Sequence, residues 1–259
     1  MPLRNFSFRN IAIDTFNQAT ESIIFTWKEI ATILGLKQDI YKNPLHRPLS
    51  KPVKAILIGA GNRGNIYADY ALIHPNELNI IGVADQNAVR NGRFARKHNI
   101  AAANRFYNWE DVFARDKFAD AVIIATPDAL HAAPCLRALD AGYDVLLEKP
   151  IALTEADCRL IHEKAKATGR IVGVCHVLRY SPYFKQLKEI ITSGTIGDIV
   201  SVQHMEPIGF DHMAHSYVRG NWHNSTKSSP IILAKSCHDT DILRWLIDEP
   251  VEDIQCFGG

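Results

Sequence analysis

Neither sign of charge is in excess: 29 Lys and Arg stand against 28 Asp and Glu across 259 residues. A phosphate backbone is gripped by many cations at once, so a balanced chain points away from nucleic acid. No stretch approaches the ~20 consecutive apolar residues that cross a bilayer, and no membrane partner is expected. The opening residues Met1-Pro2-Leu3-Arg4-Asn5-Phe6 lack the apolar run and small-residue cleavage site of a secretory signal. Paired cysteines are missing too. Cys135, Cys158, Cys175, Cys237 and Cys256 are odd in number, widely spaced, and never C-x-x-C. They read as buried thiols in a reducing compartment rather than as a disulfide frame or zinc site, and the expectation is a cytoplasmic protein. Internal repeats and low-complexity tracts are absent. What is present is a 47% hydrophobic composition, enough to build a core in one large domain or two smaller ones.

Residues 1–52 stand apart. Phe16, Ala19, Ile23, Trp27, Ile30 and Leu34 recur at three- and four-residue steps, one stripe of an amphipathic helix between Asp14 and Gly35. Pro44, Pro48 and Pro52 then punctuate a linker. From Val53 to about residue 177 the pattern alternates. Apolar runs at Val53–Ile58, Leu78–Ala84, Ala119–Ala125, Asp144–Leu147 and Arg170–Val174 are separated by helical stretches to His74, over Ala88–His98, from Asp128 to Ala141, and over Thr154–Thr168. Near-continuous apolar strands separated by helices predict a parallel sheet covered on both faces. After that, in residues 178–259, Ser181-Pro182 opens a helix that Gly194 stops, Ile199–Met205 reads as a strand, and 207–230 as a long polar loop. A helix over Ile231–Ile247 and a strand over Val251–Phe257 complete the expectation.

The strongest motif is Gly59-Ala60-Gly61-Asn62-Arg63-Gly64, which follows a predicted strand, opens a predicted helix, and is succeeded by Asp85 at the end of the next strand. Gly59 serves a tight turn, Gly61 lets the backbone approach a pyrophosphate, and Gly64 brings the helix close to the strand. The helix N-terminus, at Asn62 and Arg63, offers free amides to the phosphates. Asp85 would accept from the adenosine ribose and repel a 2′-phosphate, which favours NAD over NADP, although Arg90 lies close by in sequence. Ala125-Thr126-Pro127, Asp128 and His131, then Glu148-Lys149-Pro150, fall at strand exits, where open α/β sheets hold ligands. Read alone, Lys149 is a surface lysine.

Gly59–Gly64, Ala125-Thr126-Pro127, Glu148-Lys149-Pro150, Arg179-Tyr180-x-Pro182 and Cys237-His238-Asp239-Thr240-Asp241 together resemble the glucose–fructose oxidoreductase/inositol dehydrogenase/MocA family from about Val53 onward. The resemblance implies an N-terminal Rossmann domain binding NAD(P) and an α+β substrate domain whose mostly antiparallel sheet covers the nicotinamide and holds a sugar or polyol. It implies that Lys149 contacts substrate and nicotinamide, that His238 transfers the proton, and that the second sheet builds a homo-oligomer. Inositol dehydrogenase-like members of that family place an aspartate four residues before the histidine; Ala234 stands there, followed by Lys235. The chain ends at Gly258-Gly259 soon after its second expected strand there, so the substrate domain reads as cut short.

Histidine suits proton transfer during alcohol oxidation, and a neighbouring lysine steadies developing alkoxide while lowering the histidine pKa. Lys235, His238 and Asp241 recur at steps of three and fall along one side of the predicted helix; Asp241 can orient His238 or balance Lys235. Tyr217, Arg219 and Trp222 offer a ring face and hydrogen-bond donors to a sugar, with Arg179 beside them in the motif set. His131 and His176, near strand ends, suit structure and ligand equally. His212, His215 and His223 lack the carboxylate or cysteine partners of a metal site, and none is expected. The resulting expectation is an NAD-dependent oxidoreductase acting on a sugar, cyclitol or related alcohol. Its rivals are an NAD-retaining glycosidase on the same fold and a truncated, non-catalytic NAD-binding protein.

Overall fold

The computed structural model describes residues 50–224 and 228–257; the amphipathic stripe between Asp14 and Gly35 lies outside them. Strands β1 (Val53–Ile58), β2 (Leu78–Ala84), β3 (Arg105–Phe106), β4 (Ala121–Ile124), β5 (Asp144–Leu147) and β6 (Val172–Val174) form one sheet. Their order is β3-β2-β1-β4-β5-β6, and every pairing is parallel. The order reverses direction between β1 and β4, which opens a crevice at the carboxyl ends of those strands.

The crossovers are α1 (Asn62–Ile73), α2 (Ala88–Lys97), the one-turn α3 (Trp109–Val112), α4 (Ala132–Asp140) and α5 (Glu155–Thr168). They cover both faces of the sheet. One apolar cluster gathers Leu57, Tyr67, Phe94 and Ile123; the other gathers Ile56, Ile124, Leu139 and Leu147. All four residues of β4 and of β5 are buried, which explains runs of Val, Ile and Leu with no polar alternation. The helix ends follow local chemistry. Thr154 Oγ1 accepts from the Asp157 amide at the start of α5, and Gly169, at φ +64°, closes it in the left-handed region.

Beyond β6 the chain turns through Val177–Tyr180 into α6 (Pro182–Thr192), capped by Ser181, whose hydroxyl accepts from the Phe184 amide. The expected loop 207–230 is more ordered than its composition suggests. It carries α7 (Phe210–His212), which runs directly into a π-helical turn, Met213–Val218. The helix expected over Ile231–Ile247 is two helices, α8 (Ile231–Ala234) and α9 (Cys237–Ile247), with Lys235 and Ser236 at the joint.

One expectation fails. Neither 199–205 nor 251–257 forms a strand, and no strand follows β6 among the described residues, so the expected mostly antiparallel sheet is not formed there. A strand is stabilised by its ladder. Val200, Met205, Ile254 and Phe257 are instead exposed, with no neighbouring strand to pair against.

Candidate nucleotide and substrate site

The loop from β1 to α1 sits at the reversal point. Gly59 has φ +95°, and a Cβ there would press on the Ala125 carbonyl of the next loop, so only glycine fits. A Cβ on Gly64 would strike the Gly59 carbonyl and the Leu57 side chain, which lets α1 lie close on β1. Gly61 differs: a Cβ there would meet no protein atom within 4 Å. Open space over bare backbone is what a ligand approaching the peptide requires. At the start of α1 no side chain caps the helix and no acidic residue lies in the first turn, so its leading amides remain for an anion. Asn62 and Arg63 are exposed there.

Asp85, buried just past the end of β2, takes the Ala60 amide at 2.8 Å on Oδ2 and the Asn87 amide at 2.7 Å on Oδ1. Arg90 lies against the same carboxylate, its Nη2 donating to Oδ1 at 3.0 Å, with its side chain half exposed outside. The carboxylate expected to face the ribose alone therefore carries a guanidinium on it.

At the exit of β4, Thr126 is half-buried and Pro127 exposed. His131 is fully buried; its ring nitrogens lie 2.9 Å from the Thr126 carbonyl and 2.7 Å from the Pro150 carbonyl. Both nitrogens are occupied by backbone, so His131 binds two strand-exit loops together and presents nothing to a nucleotide. Glu148 is likewise turned inward: Tyr67 Oη donates to it at 2.6 Å and the Lys149 amide at 2.5 Å. Its neighbour reaches out. Lys149, followed by a cis-proline, extends its ammonium to the Ala234 carbonyl at 2.5 Å. In an unbroken helix that carbonyl would receive the His238 amide; here the His238 amide turns to Lys235 O, at 3.2 Å. The break between α8 and α9 thus frees the acceptor that draws Lys149 beside the helix bearing His238.

His238 is largely buried, and its Nδ1 is sealed with no hydrogen-bond partner. Burial, then the Lys149 ammonium, followed by His176, Lys235 and Arg63, pushes its pKa down to about 3, so the ring is neutral at physiological pH. The His176 ring stands edge-on to it, centroids 5.9 Å apart. His176 is also pushed down, by burial ahead of the opposing pull of Asp241. Asp241 neither orients His238 nor balances Lys235, as the three-residue spacing had suggested. Arg179 grips it with two hydrogen bonds, Nε to Oδ2 at 2.7 Å and Nη2 to Oδ1 at 2.6 Å. Lys235, at the helix joint, points elsewhere and pairs with Glu206 at 2.8 Å.

The loop residues divide. Trp222 donates its indole N–H to Asp128 Oδ2 at 2.8 Å, and its ring lies 6.3 Å from that of Tyr217. The Arg219 side chain is exposed and makes no hydrogen bond or ion pair to any described residue. The grouping of possible metal ligands among the described residues is not His212, His215 and His223 but His204, Glu206 and Asp239. Its members are matched by protein partners, His204 with Asp239 at 2.9 Å and Glu206 with Lys235. Asp128 and Asp239 stand in segments the sequence singles out, but their spacing assigns them no role, and His204 and Glu206 belong to no motif; each meets its partner from a distant segment only through folding.

A parallel sheet of this order, with an uncapped helix behind a glycine turn at its reversal point, is a dinucleotide-binding α/β unit. Residues 53–176 match the oxidoreductase family with an NAD-binding Rossmann fold, and residues 184–259 match the GFO/IDH/MocA C-terminal domain. The chain belongs to the Gfo/Idh/MocA family. It is 28% identical over 216 residues to an inositol 2-dehydrogenase of Rubrobacter xylanophilus, an alignment covering 81% of this chain and 56% of that protein. Inositol 2-dehydrogenase 1 of Saccharopolyspora erythraea is 36% identical over 138 residues, 52% of this chain and 37% of the relative. Among solved structures, myo-inositol 2-dehydrogenase of Lactobacillus plantarum superimposes with TM-score 0.68 at 21% identity, over 76% of this chain and 57% of that one. The WlbA dehydrogenase of Bordetella pertussis, in complex with NADH and UDP-GlcNAcA, gives 0.63 at 22%, covering 76% and 58%. The chain spans a little over half the length of the first of these relatives.

Proposed function

We propose that this chain carries the cofactor domain and the proton-transfer group of an NAD-dependent oxidoreductase acting on a secondary alcohol of a sugar or cyclitol. The observation that carries the reading is the Lys149–Ala234 hydrogen bond, which brings an ammonium from the end of β5 to the helix bearing a neutral, largely buried His238. When bound, the nicotinamide supplies the hydride chemistry. His238 takes the hydroxyl proton on Nε2, since Nδ1 is sealed. Lys149 steadies negative charge on the substrate oxygen and keeps His238 unprotonated and ready as a base. Asp241, held by Arg179, stands behind His176, and these three with Tyr217, Arg219 and Trp222 form the substrate side. Gly59, Gly61, Gly64, Asn62, Arg63 and Thr126-Pro127 form the cofactor side. The division falls at residues 53–177 and 178–259, and the free thiols suit a cytoplasmic setting.

NAD is the cofactor in this reading. Asp85 opposes a 2′-phosphate, while Arg90 offsets that charge and narrows the discrimination. Arg90→Ala should therefore widen the preference for NAD over NADP, read as the ratio of dissociation constants by tryptophan fluorescence. An unchanged ratio would place Arg90 away from the ribose. For the reaction itself, the test is NADH formation with a polyol and free-sugar panel, in wild type and His238→Ala. Turnover that disappears in the variant while NAD affinity holds supports the reading. Release of an aglycone without net NADH would instead mark a glycosidase that retains its cofactor.

A further inference from the structure

We propose that Asp128 is a positioning residue, a latch that holds the segment Phe210–Asn224 against the cofactor half and thereby places the substrate side of the site. Asp128 opens a short turn, Asp128–Leu130, immediately after Pro127, and only 7% of it is exposed. A buried carboxylate needs strong partners. No cation supplies them among the described residues. Both come from one distant stretch of chain: the Trp222 indole N–H at 2.8 Å and the buried Ser229 hydroxyl, each donating to Oδ2. Hydrogen bonds to an ionised acceptor are the stronger kind.

What the latch holds is built to keep its shape. The π-helical turn closes with the Arg219 amide on the Ala214 carbonyl and the Trp222 amide on the Ser216 carbonyl. A Cβ at Gly220 would collide with the His215 and Ser216 carbonyls, so the turn has one close-packed form. π-turns are rare and concentrate at functional sites. From Trp222 the rings run on to Tyr217 at 6.3 Å and then to His212 at 5.9 Å. Partial burial first, then the positive charges of Lys235, Arg63 and Lys149, lower the His212 pKa. A line of side chains thus joins the loop after β4 to the cleft, anchored at a single carboxylate. The cofactor loop has its own support in His131 and does not depend on this anchor.

The latch rests on the proposed function only for its effect on substrate, so the experiment reads both separately. Hydrogen–deuterium exchange is compared for the full chain as wild type, Asp128→Asn, Asp128→Ala and Trp222→Phe. Amides of Met213–Trp222 should exchange about tenfold faster in Asp128→Ala and Trp222→Phe, with β1 and β4 unchanged, as expected when one partner of a buried hydrogen bond is lost. The double variant should be no faster than either single one. Asp128→Asn, which keeps the shape and weakens the acceptor, should fall between. Unchanged exchange, or effects that add in full, would overturn the latch whether or not the protein turns over any polyol. Where the polyol panel gives NADH formation, KM for the active polyol should rise about tenfold in Asp128→Ala while kcat and the NAD dissociation constant hold. A fall in kcat with KM unchanged would overturn the positioning role.

Discussion

Gly59 and Gly61 are two residues apart and do opposite work. Gly59→Ala forces a side chain into the left-handed region and onto the Ala125 carbonyl, so it should cost about 1–3 kcal/mol or more in denaturant unfolding. Gly61→Ala places its methyl in open space at an ordinary backbone angle, φ −72°, and should leave the denaturation midpoint nearly unmoved while weakening NAD binding. Equal losses of stability in both would remove the distinction between a packing glycine and a ligand-facing one. His238 allows a second test. Its folded pKa is lowered to about 3, whereas an unfolded histidine titrates near ~6.5. The unfolded chain therefore binds the proton first. Stability from this group is complete above about pH 6.5 and declines towards pH 3 by at most ~1.4 kcal/mol per unit. His176 and His98, also lowered chiefly by burial, act in the same sense. Lys149→Met removes the nearest opposing charge and should move the His238 ring resonances to titrate at higher pH, followed by NMR.

Among the elements, the joint between α8 and α9 matters most. A continuous helix would have consumed the Ala234 carbonyl and left Lys149 without its acceptor. The turn Val177–Tyr180 is tied to α9 by the Arg179–Asp241 pair, so Asp241→Ala leaves a partly buried guanidinium without its carboxylate. The expected cost is about 1.5–3 kcal/mol in thermal or denaturant unfolding, and Arg179→Ala in the Asp241→Ala background should add little. Full additivity would mean that the pair does not hold these elements together. The strands β1, β2 and β5 were legible to the residue because each is an apolar run ended by a turn or helix start. The two-residue β3 and the one-turn α3 were not, since elements so short leave no periodicity. The expected strands at 199–205 and 251–257 had the composition of strands but no neighbour to complete a ladder.

Across the whole molecule, burial is uneven. Among the described residues, those between Val53 and Cys175 supply nearly all of the buried apolar side chains, whereas from residue 199 onward only Ala234, Ile242 and Leu246 join them. Local opening should follow that gradient. Thermolysin applied to the native protein should make its first cuts within residues 50–257 on the N-terminal side of Val200, Val202 or Ile254, with β1, β4 and β5 intact by mass spectrometry. First cuts within the sheet would contradict this ordering.

The chain's own order of residues determined the parallel sheet, the glycine turn and the family resemblance, because these rest on local signals: apolar runs, a helix start, and glycines at fixed spacing. Which charges meet was decided only by the tertiary structure. Asp241 went to Arg179, Lys235 to Glu206, Lys149 to a backbone carbonyl, and Asp128 to Trp222 and Ser229. Each of these pairings except Lys235–Glu206 spans more than sixty residues of chain. Spacing along one predicted helix could not reveal them, because the partner that a buried charge finds depends on which distant segment the fold lays across it.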